Sequence, residues 1–274
     1  MKVLIELPTW LGDCVMATPA IENIVNFYND AQITFIGSSV SIKAMKNHPK
    51  TVKTVVLSKK YSDLYKVSKE LGRFDVFFSF RSSIRSKFLI FLISAKNKYQ
   101  FDKNKYQDQH QVKKYNDFVN ASLKISSSAK KLKLYLDSNV SLLAKLKPLL
   151  GINPGASYGS AKRWYPQEFA KVASKLSHKY DIVIFGGPGE TDIANDIEKE
   201  LIKNNVQNYQ NLAGRTTISE LISHVSNLDL FITGDSGPMH VAAAFQVPTV
   251  AIFGPTKDKE TSQWMNEKNI IVKK

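Results

Sequence analysis

Residues 233–240, Thr-Gly-Asp-Ser-Gly-Pro-Met-His, combine groups that could bind an anionic substrate. They follow an apolar run and precede a short segment of small apolar residues. A strand, a glycine-flanked turn and a helix form the arrangement in which backbone N–H groups and the positive end of a helix dipole meet an anion. Pro238 suits the first helical turn, where an N–H group would lack a partner. Asp235, Ser236 and His240 add a carboxylate, a hydroxyl and an imidazole, so the segment predicts part of a site for a phosphate-bearing substrate.

A second polar segment, residues 8–14, carries one carboxylate beside a glycine. Gly12 allows a ligand to approach the backbone closely, and Asp13 stands at the expected start of a helix. The carboxylate of Asp13 could accept a proton from a substrate hydroxyl. It could also cap the helix, which is a common role for aspartate. The residues alone leave both roles open.

The third segment, residues 153–164, contains small residues, a hydroxyl at Ser157 and two adjacent cations, Lys162 and Arg163. Backbone and hydroxyl donors together with a lysine charge suit a phosphate. The alternative is an ordinary loop whose two cations are solvated.

The fourth segment is a glycine turn at residues 186–189, followed by Glu190 and Asp192. It does not match the Gly-x-Gly-x-x-Gly fingerprint, and the chain contains no Walker A sequence, so a nicotinamide dehydrogenase or a P-loop enzyme is poorly supported. An acid just after such a turn could bind ribose hydroxyls. It could equally cap the following helix.

We predict neither a bound metal nor a cofactor. Cys14 is the single cysteine, which excludes an intramolecular disulfide and a cysteine-rich metal site. The histidines other than His240 have no partners at metal-ligand spacing; they are His48, His110, His178 and His224.

Apolar strand-like segments alternate with helix-like ones, which indicates βαβ units and parallel sheets. The predicted strands are 2–7, 32–37, 54–57, 76–80, 149–153, 180–185, 228–233, 248–253 and 269–272. The predicted helices are 15–28, 61–71, 117–123, 138–146, 166–179 and 190–203, with a capping box at 217–220. We expect two α/β domains, residues 1–147 and 148–274. A ligand is expected in the cleft between them, at the carboxyl ends of both sets of strands.

The formal net charge of +14 comes mostly from lysine, with arginine only at positions 73, 81, 85, 163 and 215. Nucleic-acid binders usually cluster arginine with aromatic residues, and no such cluster occurs, so we expect no nucleic-acid partner. An anionic substrate, an anionic membrane surface or simple solvation of the lysines remain as explanations. No apolar run approaches the roughly 20 residues of a membrane span. The chain begins directly with a strand and shows no signal-peptide pattern, so a cytoplasmic location is expected.

Three of these segments, in this order, resemble the heptosyltransferases that use ADP-heptose to build lipopolysaccharide, and most closely the heptosyltransferase II branch. Trp-Leu-Gly-Asp at 10–13 is similar to the family's N-terminal motif. Asn-Pro-Gly-Ala at 153–156 with Ala-Lys-Arg-Trp at 161–164 resembles its phosphate loop. Asp-Ser-Gly-Pro-Met-His at 235–240 with Phe-Gly-Pro-Thr at 253–256 resembles its donor motif.

The resemblance implies two Rossmann-like domains facing a cleft, the glycosyltransferase B fold. It implies an acceptor-binding domain over 1–147 and a domain over 148–274 that binds the ADP-sugar. Members of this fold usually continue into C-terminal helices that cross back to the first domain. Since the chain stops soon after the expected last strand, we expect those helices to be missing, either because the sequence is truncated there or because the protein lacks them.

The resemblance also assigns residues to an inverting transfer of heptose. Asp13 falls on the general base and Lys162 on the lysine that binds the donor diphosphate. Glu190 is the first choice for the ribose-binding acid, and Asp192 is the alternative. The donor-binding positions are Gly12, Ser157, Tyr158, Glu190, Asp235, Ser236, Gly237 and His240.

The implied donor is ADP-L-glycero-D-manno-heptose, and the implied acceptor is the anionic heptosyl-Kdo-lipid A core. Arg81 and Arg85, at the end of a predicted strand, are the candidates for acceptor binding; a surface role for Arg85 is an alternative. The basic surface would favour peripheral contact with the inner face of the cytoplasmic membrane. Three other functions stay open: heptosyltransferase I, a glycosyltransferase that uses another nucleotide sugar, and a non-catalytic protein that binds a sugar nucleotide or glycolipid.

Overall fold

A computed structural model describes residues 1–58, 60–155 and 164–273. Ser157, Tyr158 and Lys162 lie outside these ranges. The chain divides into two compact units, Met1–Tyr135 and Leu136–Lys274. This division falls earlier than the predicted boundary after residue 147. Side chains tie the intervening segment to the second unit: Lys145 Nζ lies 2.9 Å from Asp229 Oδ2, and Asn227 Nδ2 donates to the Leu143 carbonyl at 3.0 Å.

The first unit has a five-stranded parallel sheet in the order β3-β2-β1-β4-β5. The strands are β1 (Lys2–Glu6), β2 (Gln32–Gly37), β3 (Thr51–Val56), β4 (Arg73–Ser79) and β5 (Ser94–Gln100). The helices are α1 (Leu11–Met16), α2 (Thr18–Phe27), α3 (Ser39–Met45), α4 (Tyr61–Leu71), α5 (Ile84–Leu92) and α6 (Gln111–Leu123). The central strands β1 and β4 are almost entirely buried, as strands covered on both faces must be.

The second unit has a six-stranded parallel sheet in the order β11-β10-β9-β6-β7-β8. The strands are β6 (Leu149–Asn153), β7 (Asp181–Ile184), β8 (Tyr209–Asn211), β9 (Leu230–Gly234), β10 (Thr249–Phe253) and β11 (Asn269–Lys273). The helices are α7 (Pro166–Leu176), α8 (Thr191–Lys203), α9 (Ile218–Ser226), α10 (Gly237–Ala244) and α11 (Asp258–Thr261). A single 3-10 turn, Pro188–Glu190, precedes α8.

Each sheet reverses its strand order at one point. In the first unit the chain builds outward from β1 through β2 and β3, then returns to place β4 on the other side of β1. In the second it builds from β6 through β7 and β8, then places β9 on the other side of β6. Loops that leave neighbouring strands in opposite directions open a crevice at such a point, and ligands of open α/β sheets bind there.

The predicted pair of parallel-sheet α/β domains is confirmed, but several predicted elements were wrong. Residues 138–146 form no helix; the backbone N–H of Val140 bonds to the Asp137 carbonyl in a turn, and Leu146 is 98% exposed. A helix whose apolar side chains bury nothing has little to stabilise it. The predicted helix 15–28 is two helices, α1 and α2, which meet at Ala17. The sequence interpretation also missed α3, β5 and β8.

Among the helices of the described residues, none combines the length and apolar character needed to cross a membrane.

Candidate functional site

Asp13 lies in the first turn of α1, directly beyond the carboxyl end of β1. The N-cap residue of this helix is Trp10, which makes no side-chain capping bond. The N-cap role for Asp13 is therefore wrong, because the helix begins before it. The side chain of Asp13 is half-buried. A half-buried carboxylate at the reversal point of the sheet is placed to meet a ligand in that crevice.

The loop before Asp13 is fixed by serines of α3. Ser38 caps α3 by accepting from the backbone N–H of Ser41 at 3.2 Å, and its hydroxyl donates to the Thr9 carbonyl at 2.7 Å. The hydroxyl of Ser41 donates to the Pro8 carbonyl. These bonds join the ends of β1 and β2, so the backbone that carries Asp13 is anchored to the sheet edge.

The negative charge of Asp13 affects the pKa values of two buried groups. Burial raises the pKa of Tyr115, on α6, well above its usual range, and the negative charge of Asp13 raises it further. Burial likewise raises the pKa of the Cys14 thiol to about 12, with a smaller contribution from Asp13. Both groups therefore stay neutral at physiological pH. Sequence reasoning missed Tyr115 because it lies in the polar stretch where no helical period was visible.

Arg81 stands at the same edge, next to a buried carboxylate that the sequence interpretation also missed. Its Nη1 lies 3.5 Å from Oε1 of Glu6, and the arginine side chain is 20% exposed. Glu6 is fully buried and accepts hydrogen bonds from the hydroxyls of Ser79, at 2.5 Å, and Ser86, at 3.0 Å. Burial raises the pKa of Glu6, while the serine hydroxyls and the charge of Arg81 lower it. The sequence could have revealed this buried carboxylate, because Glu6 is a charged residue within the apolar run 2–7.

Arg85 lies in the first turn of α5 and is half-buried. Its Nη2 donates to the carbonyl of Ser58, just after β3. The guanidinium therefore joins two loops of the first unit. Its proposed contact with an acceptor stays a prediction.

In the second unit, the carboxamide of Asn153 joins two of the predicted loops. Asn153 is the last residue of β6 and is buried. Its Nδ2 lies 3.1 Å from Ser236 Oγ, 3.4 Å from Thr233 Oγ1 and 3.3 Å from the Gly155 carbonyl. The loops after β6 and β9 are thus tied together at the reversal point of this sheet.

The segment 233–240 folds as its pattern predicts. β9 ends at Gly234, Ser236 is the N-cap residue of α10, and Pro238 lies in the first turn of that helix. The Ser236 hydroxyl does not cap α10 but lies between Asn153 and Thr233. Asp235 and His240 are both buried. The N-terminal end of α10 therefore lies at the crevice, where its backbone dipoles favour an anion.

Glu190 connects the loop after β7 with the loop after β6. Its Oε2 accepts from the backbone N–H of Gly187 at 2.7 Å, and the residue is buried. The carboxylate also packs against the α-carbon of Gly155, where the Cβ of any other residue would overlap it. Glu190 thus stabilises its own turn, in partial agreement with the capping alternative, while lying between the loops after β6 and β7. Asp192, the alternative acid, is exposed in the first turn of α8.

A surface cavity of about 760 Å³ lies away from these loops, beside α8 and β8, and is lined by residues that include Glu198, Ile202 and Arg215. It touches none of the predicted site residues. Within the described ranges, no group of three His, Cys, Asp or Glu residues could hold a metal ion.

Known proteins resemble this chain in sequence and in fold. The profile of Glycosyltransferase family 9 (heptosyltransferase) matches residues 66–274. Lipooligosaccharide heptosyltransferase 2 of Campylobacter jejuni subsp. jejuni serotype O:2 is 46% identical over 278 residues, which cover 99% of this chain and 86% of that protein.

Two solved structures share the fold. ADP-heptose lps heptosyltransferase II of Escherichia coli aligns with a TM-score of 0.85 and 20% identity over 99% of this chain and 90% of that one. An Escherichia coli heptosyltransferase solved with ADP aligns with a TM-score of 0.81 and 13% identity over 100% of this chain and 93% of that one.

We predict that Gly155→Ala displaces the Glu190 carboxylate, because the new Cβ occupies its position. Loss of the bond to the Gly187 N–H is expected to lower the free energy of unfolding by about 1 kcal/mol, measured by urea denaturation. Gly189→Ala is the matched control, since a Cβ there meets nothing within 4 Å. Equal stability of the two variants would contradict the packing described for Glu190.

A second prediction concerns Glu6, whose pKa is raised in the folded protein. The fold favours its protonated form, so its contribution to stability is full below the ordinary carboxyl pKa of about 4.3 and is lost as pH rises through the folded pKa. Glu6→Gln lacks this loss. We therefore expect the unfolding free energy of the variant, minus that of the wild type, to increase from pH 4.5 to pH 8. Glu70→Gln, at an exposed position of α4, serves as the control; a constant difference for Glu6→Gln would refute the assignment.

Proposed function

This chain belongs to glycosyltransferase family 9, and we propose that it transfers heptose from ADP-L-glycero-D-manno-heptose to the heptosyl-Kdo-lipid A inner core. It is a heptosyltransferase of lipooligosaccharide or lipopolysaccharide core synthesis. The observation that carries the finer proposal is the meeting of three loops at the reversal point of the second sheet, held by Asn153 and Glu190.

The donor is assigned to the second unit. A diphosphate at the N-terminal end of α10 would receive backbone N–H groups and the positive end of the helix dipole. Gly237 leaves room for the approach, and Ser236 offers a hydroxyl. Glu190 is proposed to bind the ribose hydroxyls of the donor through the part of its carboxylate that its own turn does not occupy. The Escherichia coli heptosyltransferase solved with ADP supports ADP as the nucleotide.

The remaining donor contacts are carried by sequence resemblance. Lys162, Ser157 and Tyr158 lie outside the described residues and follow Asn153 and Gly155 in the sequence. A lysine there would place a positive charge next to the departing diphosphate. Asp235 and His240 are proposed to support the same turn, and Gly12 to admit the donor sugar.

The acceptor is assigned to the first unit. Its Kdo carboxylates and lipid A phosphates are anionic, and Arg81 and Arg85 lie at the carboxyl edge of the first sheet. One guanidinium nitrogen of Arg81 lies beside Glu6, while the exposed fraction of the guanidinium stays available for an anionic ligand. Asp13 is proposed as the general base.

The reaction is a single displacement. An acceptor hydroxyl oxygen forms a bond to the anomeric carbon while the bond from that carbon to the diphosphate oxygen breaks, so configuration inverts. The proton of the hydroxyl passes to Asp13. Negative charge develops on the departing ADP, where Lys162 and the N-terminal N–H groups of α10 would stabilise it. Peripheral contact with the anionic membrane that carries the acceptor is part of the proposal.

The transfer assay tests donor, acceptor and base together. With ADP-heptose, the wild type is expected to extend Kdo-lipid A that carries one heptose and to leave the heptose-free acceptor unchanged, as measured by mass spectrometry. Asp13→Asn is expected to slow transfer at least about a hundredfold, as the loss of a general base does, with unchanged calorimetric affinity for ADP. Asp102→Asn, exposed in the same unit, is the control.

Each failure in this assay has a distinct meaning. Transfer only to the heptose-free acceptor would indicate heptosyltransferase I. A thermal shift with UDP or GDP but not with ADP would indicate another donor. Binding of ADP without transfer to either acceptor would favour a binding protein, and full turnover by Asp13→Asn would remove the base assignment.

For the phosphate loop, we predict that Lys162→Ala weakens ADP binding about tenfold or more, since a hydrogen bond to a charged group contributes about 1.5–3 kcal/mol. Isothermal titration calorimetry measures the change. Lys171→Ala, on the exposed side of α7, is the matched control. An unchanged affinity would exclude Lys162 from the diphosphate site.

A further inference from the structure

Helix α5 exposes an apolar stripe to solvent. Ile84 is 80% exposed, Phe91 is 79% exposed, and Phe88 is exposed between them. Their spacing of four and then three residues puts all three on one face of the helix. The opposite face of α5 carries the buried Leu89 and packs on the core. The exposed stripe is therefore separate from the face that packs α5 on the core.

Helix α4 extends this surface. The rings of Tyr61 and Phe88 contact each other with centroids 5.8 Å apart, and Tyr65 follows Tyr61 by one helical turn. Both tyrosines are more than half exposed. We name the surface formed by Tyr61, Tyr65, Ile84, Phe88 and Phe91 the α4–α5 patch. A contiguous group of large exposed apolar side chains marks an interaction site more often than scattered ones do.

Lysines surround the α4–α5 patch. The exposed ones on the two helices and just before α4 are Lys60, Lys66, Lys69 and Lys87. Lys69 Nζ lies over the Tyr65 ring, 5.5 Å from its centroid. Lys98 Nζ donates to the Ile90 carbonyl, which places another cation beside the last turn of α5. The acids of the two helices are Asp63 and Glu70, so the rim is positive.

We propose that the α4–α5 patch docks this protein on the anionic surface of a lipid bilayer. Aromatic and aliphatic side chains would enter the boundary between headgroups and acyl chains, as the apolar faces of interfacial helices do. The lysines would bind phosphate groups of anionic lipids at the level of the headgroups. A second copy of this chain fits poorly, because a symmetric contact places each patch and its lysines against the same lysines of its partner.

Docking would bring the carboxyl edge of the first sheet, where the acceptor is proposed to bind, close to the lipid. Helix α5 begins soon after β4 ends, so Ile84 and Arg81 are separated by only a short turn at the carboxyl edge of the first sheet. An acceptor held in the bilayer by its acyl chains would then present its sugars at this edge. The docking locates the membrane contact that the proposed function includes, and its consequence for the acceptor rests on the proposed transfer reaction.

The test is co-sedimentation of the full chain with phosphatidylcholine vesicles that contain none or one third phosphatidylglycerol. Wild-type protein is expected to bind the anionic vesicles and to be released by high salt. Ile84→Ser/Phe91→Ser and Lys66→Glu/Lys87→Glu are each expected to weaken binding at least tenfold, given a loss of about fivefold for each lysine removed from such a surface.

Matched controls separate the patch from general surface effects. Ile202→Ser removes an exposed apolar side chain from α8, and Lys171→Glu/Lys175→Glu reverses two exposed lysines of α7. Both are expected to bind anionic vesicles nearly as the wild type does. Wild-type levels of binding by the patch variants, or equal losses in patch and control variants, would overturn the proposal. A patch variant that instead abolished dimerisation or binding to an acidic protein would also overturn it.

Transfer to a soluble acceptor lacking acyl chains distinguishes a loss of membrane docking from a loss of transfer activity. The apolar patch variant is expected to retain wild-type turnover on that acceptor and to lose turnover on acceptor embedded in vesicles. Loss of both activities would contradict a docking role. Wild-type protein that bound vesicles but transferred no heptose would refute the proposed transfer reaction and leave the docking surface supported.

Discussion

Reversal of strand order in a parallel sheet is the constraint on which both candidate sites depend. All strands of such a sheet end at one edge, and only where the order reverses do the following loops separate to leave a crevice. The first unit places Asp13 and Arg81 at this point, after β1 and β4. The second places Asn153 and Ser236 there, after β6 and β9. Within each unit, topology therefore brings together short polar motifs that lie far apart in the chain.

Hydrogen bonds of buried and half-buried polar side chains then fix each crevice. Asn153 holds the Ser236 loop, Glu190 holds the glycine turn, and Ser38 holds the backbone before Asp13. Burying such groups costs free energy unless each finds a partner, so these bonds favour one arrangement of the loops. A crevice that is already shaped need not be ordered when the ligand arrives, which reduces the entropy lost on binding.

The sequence predicts the buried parts of this fold well and the exposed parts poorly. Strands β2 and β6 were located correctly because a continuous apolar run between turn residues has few alternatives. Strand β5 was missed because its residues, Ser-Ala-Lys-Asn-Lys-Tyr-Gln, lie mostly exposed at an edge. Residues 138–146 were wrongly predicted as a helix because their leucines are helically spaced, and spacing alone does not reveal whether a face exists to cover them.

Some residues of the candidate site could likewise be predicted from the sequence, and others could not. Motifs near glycine predict Asp13, Glu190 and Ser236 as candidates, since the backbone geometry of a turn limits which residues can occupy it. The buried partners Glu6 and Tyr115 depend on contacts between distant strands and helices, which no local pattern encodes.

The contact between Gly155 and Glu190 also restricts how this enzyme can diverge. A side chain at position 155 requires that the carboxylate first move or shorten, and a shorter residue at position 190 leaves the turn without its bond to Gly187. Whichever substitution comes first passes through a weakened intermediate. Substitutions at the two positions are therefore expected to be coupled, because either change alone weakens the turn.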